Sequence, residues 1–445
     1  MEKYNKFVKD IVKFYAKDNE NMVISPLSIW LAAEMLADAT GGETRKQIIE
    51  KLLGSESINV KGTKELHIAN AMFGQTELAE SVKQSFVNLL KEKYSAGFIT
   101  SDNTPVDVNR WVKKNTLGLI KEIMDPDNSA VFGIANAIAF KEKWANPFDV
   151  DEDETVVFKN SDGSKKKTVP LQSWESGFVE NNSFEGFIKP YARDNKYVFM
   201  AILPKDKQKN LQDVYDDADF EELYTNISWD YDVVVKIPAF KAESSYEIKE
   251  FFESIGIKDV FIDKADFSGM SDLWLKADKI THKATIDVNE NGTVATAATV
   301  VEVVCAGIPE FKEQKHLNFD RPFMYAIVDG ESGLPVFEGV INKVEGMDVD
   351  DEVEPIFITD KKEYDDIVRE IAKIEFASMD DEDKEYYLNH PDYYEHHFDY
   401  GMYLRNKYIH NKIEGAVITD NMSHHIFDKI IELLRKRAVI MTNKK

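Results

Sequence analysis

The sequence predicts an α+β fold built on large mixed or antiparallel sheets, and three observations carry that expectation. Amphipathic helical patterns come first and strand patterns follow from about residue 135, without the strand–helix alternation of a parallel doubly wound sheet. Hydrophobic residues make up 43% of the chain and aromatic residues 11%, enough for a large core and more than a disordered chain carries. The length of 445 residues leaves room for two or three domains.

The elements follow in chain order. Phe7, Ile11, Phe14 and Tyr15 recur at i, i+4, i+7 and i+8, an apolar stripe on an otherwise charged opening helix. Ser25-Pro26 reads as an N-cap with proline in the first turn of a second helix. That helix carries Ile29, Trp30, Ala33, Leu36 and Ala37 on one face and closes at Gly41-Gly42. Ile48 and Leu52 mark a short helix that stops at Gly54, and an amphipathic helical pattern returns over 108–123. Strand-like runs occupy 135–140, 197–203 before Pro204, and 233–237 before Pro238.

Composition changes after Val344. Residues 348–354, DVDDEVE, hold five acids and no base, which favours an extended, solvated linker. Beyond it Tyr364, Ile367, Val368, Ile371 and Ile374 keep helical spacing, as do Ile426, Ile430, Leu433 and Leu434. The expected organisation is a main domain over 1–347, an acidic linker over 348–354 and a small α-helical domain over 355–445.

Charge and cysteine content narrow the function classes. With 55 Lys plus Arg against 80 Asp plus Glu, the formal charge is −25, and such a surface repels phosphate backbones and anionic headgroups. Lys165-Lys166-Lys167 is too short a basic run to reverse this, so neither nucleic acid nor membrane is an expected partner. The single cysteine, Cys305, excludes an internal disulfide, a CxxC redox pair and a cysteine-rich zinc site. The N-terminal segment intersperses charges among its apolar residues, and no run approaches the ~18 apolar residues of a membrane helix. The expectation is a soluble protein, secreted or at the cell surface with its signal removed, a cytoplasmic location staying open.

Common catalytic signatures are absent: there is no GxSxG elbow, no GxxxxGK[ST] phosphate loop, no GxGxxG and no HExxH. Only His67, His282 and His316 precede residue 350, and each reads as structural. The tail holds His390, His396, His397, His410, His424 and His425, but adjacent histidines on a helix point in different directions, so neither a metal nor a cofactor is expected.

The most unusual stretch is Glu290-Asn-Gly292-Thr293-Val-Ala295-Thr-Ala297-Ala-Thr299-Val-Val. It follows strand-like 282–288, has no turn residue after Gly292, and carries only small or β-branched side chains. In a strand Thr293, Ala295, Ala297 and Thr299 would share one face, with nothing bulky on the other. Such a segment suits either an ordinary buried strand or a slot between strands of an existing sheet.

Here the sequence resembles the serpin family, in a bacterial-type form with an added C-terminal helical module. The 290–301 stretch looks like the hinge of a serpin reactive loop. Asn21-Met-Val-Ile-Ser25-Pro26-Leu-Ser28-Ile29 is similar to the NxxxSPxSI signature. Val108-Asn109-Arg-Trp111-Val112 with Thr116 and Gly118 is similar to the family's helix motif, and 136–148 to its strand motif. Ala265-Asp266-Phe267-Ser268-Gly269, His282-Lys283-Ala284, Phe319-Asp-Arg-Pro322-Phe323 and Phe337-Glu-Gly339 follow in family order.

The resemblance implies a serpin fold with N-terminal helices and an exposed reactive-centre loop, and a monomeric, one-use inhibitor of serine proteases rather than an enzyme. The loop offers a bait bond, the protease cuts it to the acyl-enzyme stage, and the freed strand inserts into the main sheet. The family's register places the scissile bond between Ala306 and Gly307, next to Val303, Val304 and Cys305. Small residues there imply an elastase-like target, with subtilisin-like enzymes a second class, and exclude a trypsin bait. A register slipped by one or two residues would make Cys305 or Val304 the bait. Cys305 is either a small subsite residue or an oxidation switch. Val294 and Thr296 depart from the family's Glu and Ala without adding bulk. Glu290, Gly292, Thr293, Ala295, Ala297 and Thr299 form the inserting hinge. Ser25, Ser28, Asn136 and His282 are implied to form a polar cluster under the sheet's centre, with Trp144 at the top of the slot. The alternative is a non-inhibitory serpin acting as carrier or chaperone, whose hinge would carry proline or charge between 293 and 299.

Overall fold

A computed structural model describes residues 2–55, 58, 62–127, 130–293 and 312–349, and in the C-terminal part 356–357, 361–379, 381–391, 413–414, 425–433 and 435. The chain divides into two compact units, Met1–Asp348 and Val349–Lys445.

Helix α1 (Glu2–Tyr15) buries Phe7 and Ile11, as its spacing predicts, together with Tyr4, Val8 and Val12, while Tyr15 is only half-buried and Phe14 stays 43% exposed and packs edge-on to Phe251. Helix α2 (Pro26–Ala39) is buried along almost its whole length, with Ser25 as N-cap and Pro26 in its first turn. Helix α3 (Gly42–Ile48) runs into a wider π turn at Ile49–Leu53, which ends at Gly54 with φ of +61°, a conformation glycine adopts without penalty. Helices α4 (Gln84–Tyr94), α5 (Thr104–Asn115), α6 (Phe220–Thr225) and α7 (Lys249–Ser254) are the remaining α-helices among the unit's described residues.

The helix expected over 108–123 ends early. Leu117 and Gly118 both take positive φ, and the Gly118 amide returns to the Lys113 carbonyl at 2.8 Å. The Asn109 side chain then clamps the departing chain, accepting from the Ile123 and Met124 amides and donating to the Met124 carbonyl. Ile120, Ile123 and Met124 therefore join Val108 and Val112 in one apolar cluster, and the helical periodicity outlives the helix.

Three sheets organise the first unit. The main sheet contains β2 (Leu66–Gly74), β3 (Gly97–Thr100), β4 (Phe132–Phe140), β5 (Glu142–Lys143), β14 (Phe240–Glu247), β15 (Lys279–Asn289) and β16 (Gly292–Thr293). A second sheet runs β1 (Met22–Ile24), β19 (Pro335–Ile341), β18 (Phe323–Asp329), β12 (Tyr197–Pro204), β11 (Phe184–Pro190), β10 (Gly177–Glu180), antiparallel throughout. A third runs β17 (Glu313–Asn318), β13 (Tyr231–Pro238), β9 (Pro170–Glu175), β6 (Asp149–Val150). The main core joins α1, α2 and the second sheet to one face of the main sheet through Ile134, Ile138 and Phe140. The opposite face presents Ala135, Ala137 and Ala139 to α5.

A hairpin of β7 (Val156–Lys159) and β8 (Lys165–Thr168) takes a third strand, β20 (Met347–Asp348). Asp348, expected to open a solvated linker, instead lies opposite Lys166 and forms an ion pair with it. The acidic run thus begins against the Lys165-Lys166-Lys167 run, where opposite charges attract.

The second unit contains α8 (Lys361–Ser378), α9 (Asp381–Asn389) and a helical segment at 425–433. Val368, Ile371, Ala372 and Met379 bury themselves with Ile426, Phe427, Ile430 and Ile431, so Val368 and Ile371 of one stripe and Ile426 and Ile430 of the other supply each other's apolar surface, while Ile374, picked out by the same spacing, is 55% exposed. A short parallel pair, β21 (Ile356–Phe357) with β22 (Ile413–Glu414), adds strands where only helices were expected.

Candidate functional site

The centre of the main sheet is a parallel pair. Strands β4 and β15 run side by side over seven residue pairs, from Lys279 opposite Gly133 to Thr285 opposite Ala139. Past that point another strand separates them. β16 pairs antiparallel with β15, Thr293 opposite Val288 and Gly292 opposite Asn289, and antiparallel with β5, Thr293 opposite Glu142 and Gly292 opposite Lys143. The first residues of the unusual small-residue stretch are thus already seated between two strands.

Aromatic side chains and backbone groups hold that seat. Thr293 is fully buried, and its hydroxyl lies 2.5 Å from the Tyr191 phenol, which burial keeps protonated by pushing its pKa far up. Trp144 stacks on Tyr191 with centroids 4.3 Å apart. Its indole N–H donates to the Asn289 carbonyl at 2.8 Å and its amide to the Asn291 carbonyl at 3.1 Å. The Phe148 amide donates to the Glu290 carbonyl at 2.9 Å. Lys189, almost wholly buried, places its ammonium 4.2 Å from the Phe148 ring centroid and 2.6 Å from Glu175 Oε1. Burial lowers the Lys189 pKa and the adjacent carboxylate opposes that.

Below the seat lies a polar row. Asn70 on β2, Asn136 on β4 and His282 on β15 stand opposite one another across three adjacent strands. His282 Nε2 accepts from the Ser25 amide at 3.2 Å, so the ring proton sits on Nδ1 and is donated to Asn136 Oδ1. Asn136 Nδ2 donates to the Ser28 hydroxyl at 2.6 Å, the Ser28 carbonyl at 3.0 Å and Asn70 Oδ1. Ser25 Oγ accepts from the Ser28 amide, capping α2, and donates to the Val336 carbonyl at 2.6 Å. Burial pushes the His282 pKa down to about 3, so the imidazole is neutral at ordinary pH.

Ser25, Ser28, Asn136 and His282 therefore form one hydrogen-bonded cluster at the centre of the main sheet, where β4 and β15 are paired, while Trp144 stands beyond the end of that pairing with Glu290, Gly292 and Thr293. Ala295, Ala297, Thr299, Val303, Val304, Cys305, Ala306 and Gly307 lie outside the described residues. Sequence reasoning missed Asn70 and Tyr191. Asn70 had a signal: Ile68-Ala-Asn70-Ala repeats in Ile134-Ala-Asn136-Ala, each placing one amide in the middle of an apolar strand. Tyr191 had none, since it follows β11 in a sequence that reads as an ordinary turn.

Comparison with known proteins agrees with this arrangement. Residues 2–344 match the model of the serpin (serine protease inhibitor) family. A serpin-like protein of Thermococcus kodakarensis is 28% identical over 75% of this chain and 83% of its own length. The alpha-1-antiproteinase of Rattus norvegicus is 28% identical over 74% and 84%. Among solved structures, the thermophilic serpin tengpin in its native state covers 77% of this chain and 93% of its own, with 30% identity and a TM-score of 0.68. The same serpin in its latent state gives a TM-score of 0.62 at 27% identity. A fold whose described residues put seven strands in the main sheet, a polar hydrogen-bonded row across its central strands and a family match that runs from residue 2 to residue 344 lead to one conclusion: the chain belongs to the serpin family.

Proposed function

We propose that the protein inhibits elastase-like serine proteases by a single-use trap, with cleavage between Ala306 and Gly307 and insertion of the freed segment along the slot between β4 and β15. Membership of the family already makes it a protease inhibitor in general terms rather than an enzyme. One observation supports the insertion step above others: Gly292 and Thr293 lie antiparallel between β15 and β5. Each further residue would extend the same two ladders downward in place of the single parallel ladder from Lys279 to Thr285.

The chemistry is that of an interrupted hydrolysis. The protease serine attacks the Ala306 carbonyl carbon, the Gly307 amine leaves with a proton, and an ester joins the protease to Ala306. Sixteen steps from Glu290 to Ala306 at ~3.3 Å each carry that ester about 50 Å. If a dozen inserted residues each gain about 1 kcal/mol net, the release is on the order of 10 kcal/mol, enough to distort a catalytic site before water reaches the ester. Small side chains at 293–299 favour this inhibitory reading over a carrier, since a bulky or charged hinge would stop at the first buried position.

Incubation with a panel of serine proteases tests the proposal. An SDS-stable complex with elastase-type enzymes, with Ala306 as the new C-terminus by intact mass, is the expected result. A stable complex with trypsin in place of elastase would refute the assigned bond, and turnover of the loop with no complex would favour the non-inhibitory carrier.

A further inference from the structure

We infer that the cleft between Trp174 and Trp229 is a docking surface for a basic side chain of the target protease, a reading that rests on the inhibitory function proposed above. Large exposed apolar surface marks interaction sites. Trp174 is 67% exposed and Trp229 53%, and both line one cleft of about 300 Å³ together with Asn146, Glu175, Pro190 and Asp232. The register explains their convergence. Trp174 on β9 stands opposite Val234 on β13, and Asp232 lies two residues along the same strand, hence on the same face of the sheet. The Trp229 ring lies over Gly177, where an added Cβ would come within 3.4 Å of it.

The cleft has the chemistry of a cation site. Indole faces attract ammonium and guanidinium groups. The half-buried Asp232 carboxylate has no ion-pair partner among the described residues, whereas Glu175, the other acid of the cleft, is held by Lys189 at 2.6 Å. Lys312, which neighbours Trp229, donates its ammonium to the Trp229 carbonyl at 2.6 Å. Two indoles and one uncompensated carboxylate therefore face solvent around a space the size of an Arg or Lys side chain.

Its position fits a protease engaged at the loop. Five residue steps lead from Gly307 to Lys312, a path of at most about 17 Å. A protease domain is roughly 40 Å across. An enzyme engaged on the uncut bond between Ala306 and Gly307 thus overhangs Lys312 and the neighbouring Trp229. A basic residue on its rim would find the cleft before or during attack, and such contacts act mainly on association.

Two measurements on the full-length protein separate this inference from the function it rests on. The first is binding of an elastase whose active-site serine is replaced by alanine, which reads docking without chemistry. The Trp174→Ala/Trp229→Ala double variant should bind about tenfold more weakly than the parent. Asp232→Asn should lose a few-fold of affinity at low ionic strength and nothing in about 0.5 M salt, where screening removes the charge effect. The second is the rate and stoichiometry of inhibition of active elastase, which should show a slower association for each variant at unchanged stoichiometry and melting temperature. Equal affinity of the inactive protease for the parent and both variants would overturn the docking surface. Failure of the unmodified protein to form any SDS-stable complex would overturn the inhibitory reading, whatever the docking measurement shows.

Discussion

The upper end and the centre of the main sheet solve opposite problems. At the top, Thr293 sits between β5 and β15 under an aromatic stack of Trp144 on Tyr191, and the slot is open and filled. At the centre, β4 and β15 are still joined, and Asn136 ties His282, Ser28 and Asn70 into one network. The upper contacts are aromatic stacking, bonds to main-chain carbonyls and a single side-chain bond, between Thr293 and Tyr191. The central contacts are directional bonds between buried groups, which hold only in one arrangement and are expensive to leave unmade. On the proposed mechanism, an adaptable seat above a specific lock would let the strand start without letting it continue.

The comparison can be broken or sharpened by experiment. The largest effect should come from cutting the loop with a non-target protease: if the centre opens and the strand runs in, the melting temperature rises by roughly 20 °C or more. Identical melting curves for cut and uncut protein would mean the lock never yields. Next, Thr293→Arg puts a charge into the fully buried seat beside Tyr191 and should convert inhibitor to substrate, raising the stoichiometry of inhibition from about one to ten or more. An unchanged stoichiometry would remove insertion from the mechanism.

Asn136→Ala attacks the lock alone. It strands the His282 ring proton and the Ser28 hydroxyl in the interior, and denaturant unfolding should show a loss of about 2–4 kcal/mol. A change below half a kcal/mol would show that the cluster is not under tension.

Acid should weaken the same lock. Native His282 has a pKa of about 3, against ~6.5 in the unfolded chain, so the unfolded state binds a proton the native state refuses. The stability this provides is complete above pH ~6.5 and declines as pH falls toward 3, by at most ~1.4 kcal/mol per unit. His282→Gln should show a shallower acid limb than the parent over that window, and superimposable pH profiles would place the titration elsewhere.

The smallest effect should come from removing the second unit. Truncation after Val349 keeps β20 and its Lys166–Asp348 pair, and the inhibition rate should stay within about twofold of the parent because the family match ends at Val344. A tenfold loss would assign the tail a part in inhibition.

The sequence carried the local signals well and the tertiary ones unevenly. Ser25 declared itself a cap because capping needs only a serine, a proline and a following apolar face, all within a few residues. Asn136 and His282 became partners only by family resemblance, since nothing local brings together residues 146 positions apart. Asn70 was legible in principle from the repeated Ile-Ala-Asn-Ala, while Tyr191 was invisible because its role depends on a strand that arrives 102 residues later. The overlong helix over 108–123 failed for a different reason. Its apolar period is real, but Leu117, a residue with no preference for positive φ, turns the chain and Asn109 folds it back over the same cluster.

The seat of Gly292 and Thr293 also bears on timing. Starting a new ladder is the slow step of cooperative structure formation, because several residues must be ordered before the first bonds form, whereas lengthening it proceeds residue by residue. Here the nucleus exists before any protease arrives. On the insertion proposed above, the strand would have only to elongate after acylation, and each step at ~1 kcal/mol over ~3.3 Å would correspond to a pull of about 20 pN on the tethered enzyme. The outcome of such an encounter would then be a race between elongation and deacylation, in which the inhibitor has already left the starting line.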